Sequence, residues 1–137
     1  MSVSVELQTL LAATLKADPS VAALIDGIYD RVAQGAFGPR NAYISFGPSD
    51  GSDNSAECIF GSEHTFQIDV WSRAPGAREC RRIVDAVRRA LHERDLSLTQ
   101  NALVGLYVEL WRVFQDPDGL TTHGVVQVTA RVEEPLT

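Results

Sequence analysis

Between residues 66 and 91 the period of the apolar positions changes. Phe66, Ile68 and Val70 alternate with Gln67 and Asp69, the pattern of a half-buried strand. Beyond Pro75-Gly76 the apolar residues are Cys80, Ile83, Val84, Val87, Ala90 and Leu91, one stripe of an amphipathic helix predicted from Ala77 to about Arg94. The same spacing in Leu7, Leu10, Leu11, Thr14 and Leu15 predicts an opening helix from Val3 to Lys16. In "ADPSVAALIDG", Asp18 is placed to cap a short second helix, with Pro19 at its first position and Gly27 as its stop.

The remaining pattern is that of strands. Ala42 to Phe46 is apolar between the turn signals "GPRN" and "GPSD", and Ile59-Phe60 and Phe66 to Ser72 supply more strand ahead of the long helix. "LSLT" after that helix is a further short candidate. In "ALVGLYVELWRVFQ", Val104, Leu106, Val108 and Leu110 alternate on one face and Tyr107, Glu109, Trp111 and Val113 on the other. "DPDG", Asp116 to Gly119, matches a type I turn, and the return run buries Val126, Val128, Ala130 and Val132 by alternation. These make an antiparallel hairpin. Ser49 to Cys58 is small, polar and acidic without periodicity, and reads as a mobile loop or hairpin tip. No repeat or linker divides the chain. The order predicts one α+β domain over residues 1–137, a mostly antiparallel β-sheet with two main helices packed on one face.

Composition narrows the function. The 137 residues carry 45% hydrophobic side chains, enough for a core, and a net charge of -6, which argues against a general nucleic-acid or membrane binder. Two cysteines do not make a disulfide framework, so a reducing compartment is expected. There is no signal-peptide pattern and no apolar run near the ~20 residues that span a bilayer, so the chain is expected to be soluble. His64, His92 and His123 lack metal-site spacing. Cys80 lies on the core stripe and Cys58 in the polar segment, poor settings for a nucleophile. No phosphate-cradling or serine-hydrolase motif occurs, and no enzyme, metal or cofactor is expected.

Charge distribution is the unusual feature. Six of eleven arginines fall between residues 78 and 94, against Glu79, Asp85 and Glu93, so this segment is at +3 and the remainder at -9. Arg78, Arg81, Arg82, Arg88 and Arg89 lie off the apolar stripe. One reading is a solvated face with local ion pairs, such as Asp85 with Arg81, Arg82, Arg88 and Arg89. The other is a polarised molecule suited to docking head to tail against copies of itself or a charged neighbour.

"IYDRVAQGAFGPRNAYISFGPS", "HTFQIDVWSRAPGARECRRIVDAVRRALHE" and "LWRVFQDPDGLTTHGVVQVTARVEE" resemble, in order, the blocks of the tail terminator or tail completion family of tailed bacteriophages and gene transfer agents. The resemblance is carried by Tyr29 and Asp30, by Trp71, Ser72, Arg73 and Gly76, and by Asp116, Asp118, Gly119, His123 and Gly124. It covers nearly all of the chain beyond Leu24. Ala33 stands where the family usually has proline, which leaves that turn open.

The resemblance implies a virion structural protein, made in the bacterial cytoplasm and placed at the head-tail junction. It implies a hexameric ring of like subunits that caps the tail tube, stops its polymerisation and meets the neck or head-completion (stopper) protein. DNA would pass through the channel without sequence-specific binding. In such a ring, Arg73 and the arginine helix are candidate interface residues, as are Ser49, Asp50 and Asp53 in a flexible arm. Trp71 is expected to pack, half-buried, at the strand-to-helix corner, and Arg73 to bind carbonyls there or a carboxylate across the ring. The alternatives are another head-tail adaptor or minor tail component, or a small cytoplasmic ligand-binding or enzyme subunit.

Overall fold

The computed structural model describes residues 2–32 and 34–135. Ala33 lies outside the described residues. Helix α1, Val3–Ala17, starts where Ser2 accepts the N–H of Val5, and buries Val3, Leu7, Leu11 and Leu15 at the predicted spacing. Asp18 ends it and caps α2, accepting from the N–H groups of Ser20 and Val21. Helix α2 is a single turn, Pro19–Ala22, and stops well before Gly27, because the chain leaves it to place Ile25 and Ile28 against the core.

Five strands follow: β1 Ile28–Tyr29, β2 Ala42–Asp53, β3 Phe60–Ser72, β4 Ala102–Gln115 and β5 Thr122–Glu134, with helix α3, Arg78–Leu91, between β3 and β4. The sheet order is β1-β2-β3-β5-β4, antiparallel throughout except for the β1–β2 pair. The α+β expectation holds.

One face of this sheet carries Ile44, Ile68, Val70, Val126, Val128 and Leu106, packed with the buried stripes of α1 and α3. Helix α3 packs on β3, β5 and β4, and α1 and α2 pack on α3. Closest approach is at Gly124: a Cβ there would lie 2.5 Å from Val84 Cγ2 and 3.1 Å from Cys80 Sγ. A side chain would hold the helix off the sheet.

Three expectations change. Ser49 to Asp53 is not a loop: it continues β2 past a bulge between Phe46 and Ser49, and only residues 54–59 form the tip. Cross-strand pairing to Ser62–Phe66 supplies the order that the polar sequence does not signal. "LSLT" forms no strand, since the backbone N–H groups of Thr99 and Gln100 go to the carboxylate of Glu6, and Leu96 and Leu98 pack on the core.

The third concerns β4. Bulges between Leu103 and Gly105 and between Val108 and Leu110 each insert a residue and reset the alternation. Leu106, Val108, Trp111 and Val113 therefore share the helix-covered face, and Tyr107, Leu110, Arg112 and Phe114 the open one. Val104 and Glu109 sit in the bulges.

Candidate functional site

The helix-free face of the sheet is built around the ends of β3 and β5. Trp71 and His123 are directly opposed across the ladder and stack with ring centroids 3.9 Å apart. Trp71 Nε1 donates to Ser45 Oγ at 2.9 Å on β2, and Phe114 of β4 flanks His123 at 4.8 Å. Asp69 is buried under this cluster. His123 Nε2 lies 2.7 Å from its carboxylate and Gln67 Nε2 donates to it at 2.9 Å. Gly47 lies beside the same carboxylate, and a Cβ there would clash with Asp69 Oδ2, so a side chain would displace it.

The aromatic cluster continues to the sheet edge. Tyr43 meets Trp71, Tyr29 and Phe37, and the Arg73 guanidinium lies over the Phe37 ring at 4.4 Å. Burial raises the Tyr43 phenol above its ordinary range, against the opposing pull of Arg73. Further along, the open face is polar: Thr65 meets Thr129, and Arg131 donates to Glu63 at 3.1 Å.

Two loops lock this face. Burial alone would raise the carboxyl of Asp26, but it accepts from the N–H groups of Arg40, Gly38 and Ala42, and its pKa falls below the usual range. At the hairpin, Gly119 N–H donates to Asp116 carbonyl, closing the type I turn, and Gly119 takes φ 73°. Asp118 accepts from the N–H groups of Leu120 and Thr121 and from the Thr121 hydroxyl, which holds its pKa low.

The motif residues thus divide. Tyr29, Trp71 and His123 meet in the aromatic cluster, while Asp116, Asp118 and Gly119 shape the hairpin turn. Gly76, at φ 75°, turns the chain into α3, and Ser72 Oγ accepts from Ala74 N–H at that corner. Gly124 seats the helix, and Asp30 is exposed. Trp71 packs half-buried, as expected. Arg73 engages Phe37 and, through Nε, the Thr121 hydroxyl at 3.5 Å rather than corner carbonyls.

On α3, Arg78, Arg81, Arg82 and Arg89 are exposed. Arg82 pairs with Glu79 and Arg88 with Asp85, each at 3.6 Å, so of the four arginines considered for Asp85 only Arg88 pairs with it. Arg88 also lies 4.4 Å from the Trp111 ring centre. The candidate interface therefore falls in two places, the arginines on the helix layer and Ser49, Asp50 and Asp53 on the far strand β2. Cys58 is exposed at the hairpin tip, and burial pushes the Cys80 thiol up to about 11.

Sequence reasoning missed Asp69, Asp26 and Glu6, whose partners are distant in the chain. Glu6 is buried on α1. Its burial opposes ionisation, but bonds from Gln100, Asn101 and Thr99 bring it to about 2. The role of His92 was missed as well: exposed at the end of α3, it accepts at Nδ1 from Val108 N–H at 3.0 Å and ties the helix to β4.

Residues 9–133 match the family model described as tail completion protein gp17. The chain belongs to this family. As a tail completion protein it is a structural part of a virion, and the resemblance read from the sequence blocks holds. A solved structure titled "Virion of native gene transfer agent (GTA) particle" contains a similar chain, 30% identical, with TM-score 0.85 over 96% of this chain and 98% of that one. No protein with a curated description matches. Among the described residues no helix is long and apolar enough to cross a membrane.

Proposed function

We propose that this tail completion protein is a tail terminator: one domain that assembles, in six copies, into a ring on the tail tube, ends tube polymerisation and offers its other side to the neck or stopper protein. The observation that carries this reading is the near-full-length likeness to a chain of a gene transfer agent virion. DNA crosses the central channel without sequence-specific contacts, in keeping with the net charge of -6. The protein acts by surface complementarity rather than catalysis, at the head-tail junction of a phage or gene transfer agent particle.

A ring of identical subunits uses a heterologous interface, one patch of each copy meeting a different patch of the next. The exposed arginines of α3 and the acidic stretch Asp50 to Asp53 supply opposite charges on different parts of one chain. Arg73, beside Phe37 and the hairpin turn, extends the basic patch.

Native mass spectrometry of the purified chain tests the ring. A species six times the 14.9 kDa chain mass is expected. Reversal of Arg81, Arg82 and Arg89 to Glu is expected to abolish that species while the circular dichroism spectrum stays that of the parent. An assembly that survives the reversal removes those arginines from the interface. Tubes that elongate past their normal length in the presence of the protein would refute termination.

A further inference from the structure

The sheet ends in two strands that each leave part of their outer edge unpaired. Strand β4 is last in the order, with β5 on one side only. Its edge is covered where Leu106 carbonyl accepts from Glu93 N–H and Val108 N–H donates to His92 Nδ1. Residues alternate in the direction of their backbone groups, and Asp116 N–H points inward to Thr121 carbonyl. Gln115, Val113 and Trp111 therefore turn their N–H and C=O groups outward, past the point where the tether ends.

Strand β2 mirrors this at the opposite edge. Its first half is covered: Ala42 carbonyl accepts from Asp26 N–H, Ile44 N–H donates to Gly27 carbonyl, and β1 reaches only Ser45. Asn54 N–H points inward to Gly61 carbonyl, so Asp53, Gly51 and Ser49 point outward. Each edge thus presents three consecutive outward residues, and such edges are templates for pairing with another chain.

We infer that the ring closes by strand pairing between copies, with Trp111, Val113 and Gln115 of one chain on Asp53, Gly51 and Ser49 of the next. This rests on the ring proposed above. Direction fits: β2 and β4 run opposite ways across the four long strands, so a neighbour translated around the ring meets β4 with an antiparallel β2.

Side chains and charge fit as well. Trp111 and Val113 lie on the helix-covered face, and so do the side-chain positions of Asp53 and Ser49. In this register Asp53 faces Trp111, over which Arg88 is held. On the open face Arg112 stands diagonally from Asp50. Leu110, Trp111 and Phe114, each more than a third exposed, would be covered.

The stagger fits a closed sheet. Val113 aligns through β5 with Gly124, and Gly51 aligns through β3 with Ala130, six residues further along β5. At ~3.3 Å per residue this is about 20 Å, against about 19 Å for four strand spacings of ~4.8 Å, a strand tilt of roughly 45°. Closed sheets tilt their strands by about 35–45°. Unstaggered edges would close only with upright strands.

The test introduces Ser49→Cys and Gln115→Cys together in a Cys58→Ser background and oxidises the chain. Denaturing gels are expected to show a reductant-sensitive ladder of covalent oligomers, absent from either single variant. Native mass spectrometry of the parent is run alongside. A six-fold mass without a ladder overturns edge pairing and leaves the ring intact, whereas a monomer without a ladder overturns both. As a second variant, Gln115→Pro removes an outward N–H at an exposed residue, which an edge strand tolerates. It should abolish the oligomer at an unchanged melting temperature, and a ring formed as in the parent overturns the pairing.

Discussion

The two faces of the sheet are held by different forces. The helix-covered face is close-packed hydrocarbon: Ile68, Val70, Ile83, Val87 and Val126 are fully buried, and Gly124 leaves no room for a methyl group. The open face is fixed by directed contacts, the Asp69–His123 pair, the Trp71 stack and the Arg131–Glu63 pair, and stays partly exposed. The difference teaches where tolerance lies. One face accepts no change of volume, while the other accepts changes that preserve hydrogen bonds and is free to meet partners.

Substitutions that break this contrast rank accordingly. Ile83→Ala should cost about 2–5 kcal/mol through the cavity it leaves between α3 and the sheet, read by urea denaturation. Gly124→Ala, by overpacking at the same layer, should cost about 1–3 kcal/mol. A comparable melt for either variant and the parent would mean that the layer relaxes freely.

On the open face, His123→Ala strips Asp69 of its 2.7 Å partner and Trp71 of its stack, and should cost about 1–3 kcal/mol. The double variant Asp69→Ala/His123→Ala should cost less than the sum of the single changes, as coupled partners do. Additive losses would show that the two side chains act independently.

Acid sharpens the comparison further, because Glu6 ties the helix layer to the loop that leads into β4. Its carboxyl ionises at about 2 in the folded protein against an ordinary 4.5. Its stabilisation is therefore complete above pH 4.5 and is lost as pH falls toward 2. The melting temperature of Glu6→Gln should fall less steeply than the parent's across that window, and parallel curves would refute the assignment. The smallest effect expected is Arg88→Ala, which removes a partly exposed cation–π contact and the ion pair with Asp85, together worth about 1 kcal/mol.

Legibility in the sequence followed the range of the interaction. Both long helices, the Asp18 cap, the type I turn at Asp116 and the buried alternation of β5 were readable, since each depends on residues within one or two turns of one another. The motif residues were readable only as blocks. That Tyr29, Trp71 and His123 meet on one face follows from the β1–β2–β3–β5 register, which brings together positions 94 residues apart.

What the chain alone determined is the set of elements and their apolar faces, because hydrophobic period is local. Tertiary structure decided the rest: that polar Ser49 to Asp53 is a strand, that two bulges exchange the faces of β4, and that Glu6, Asp26 and Asp69 are anchors. An extended backbone or a buried carboxylate is stable only where another segment supplies its hydrogen bonds, and no single stretch of sequence records where that segment will come from.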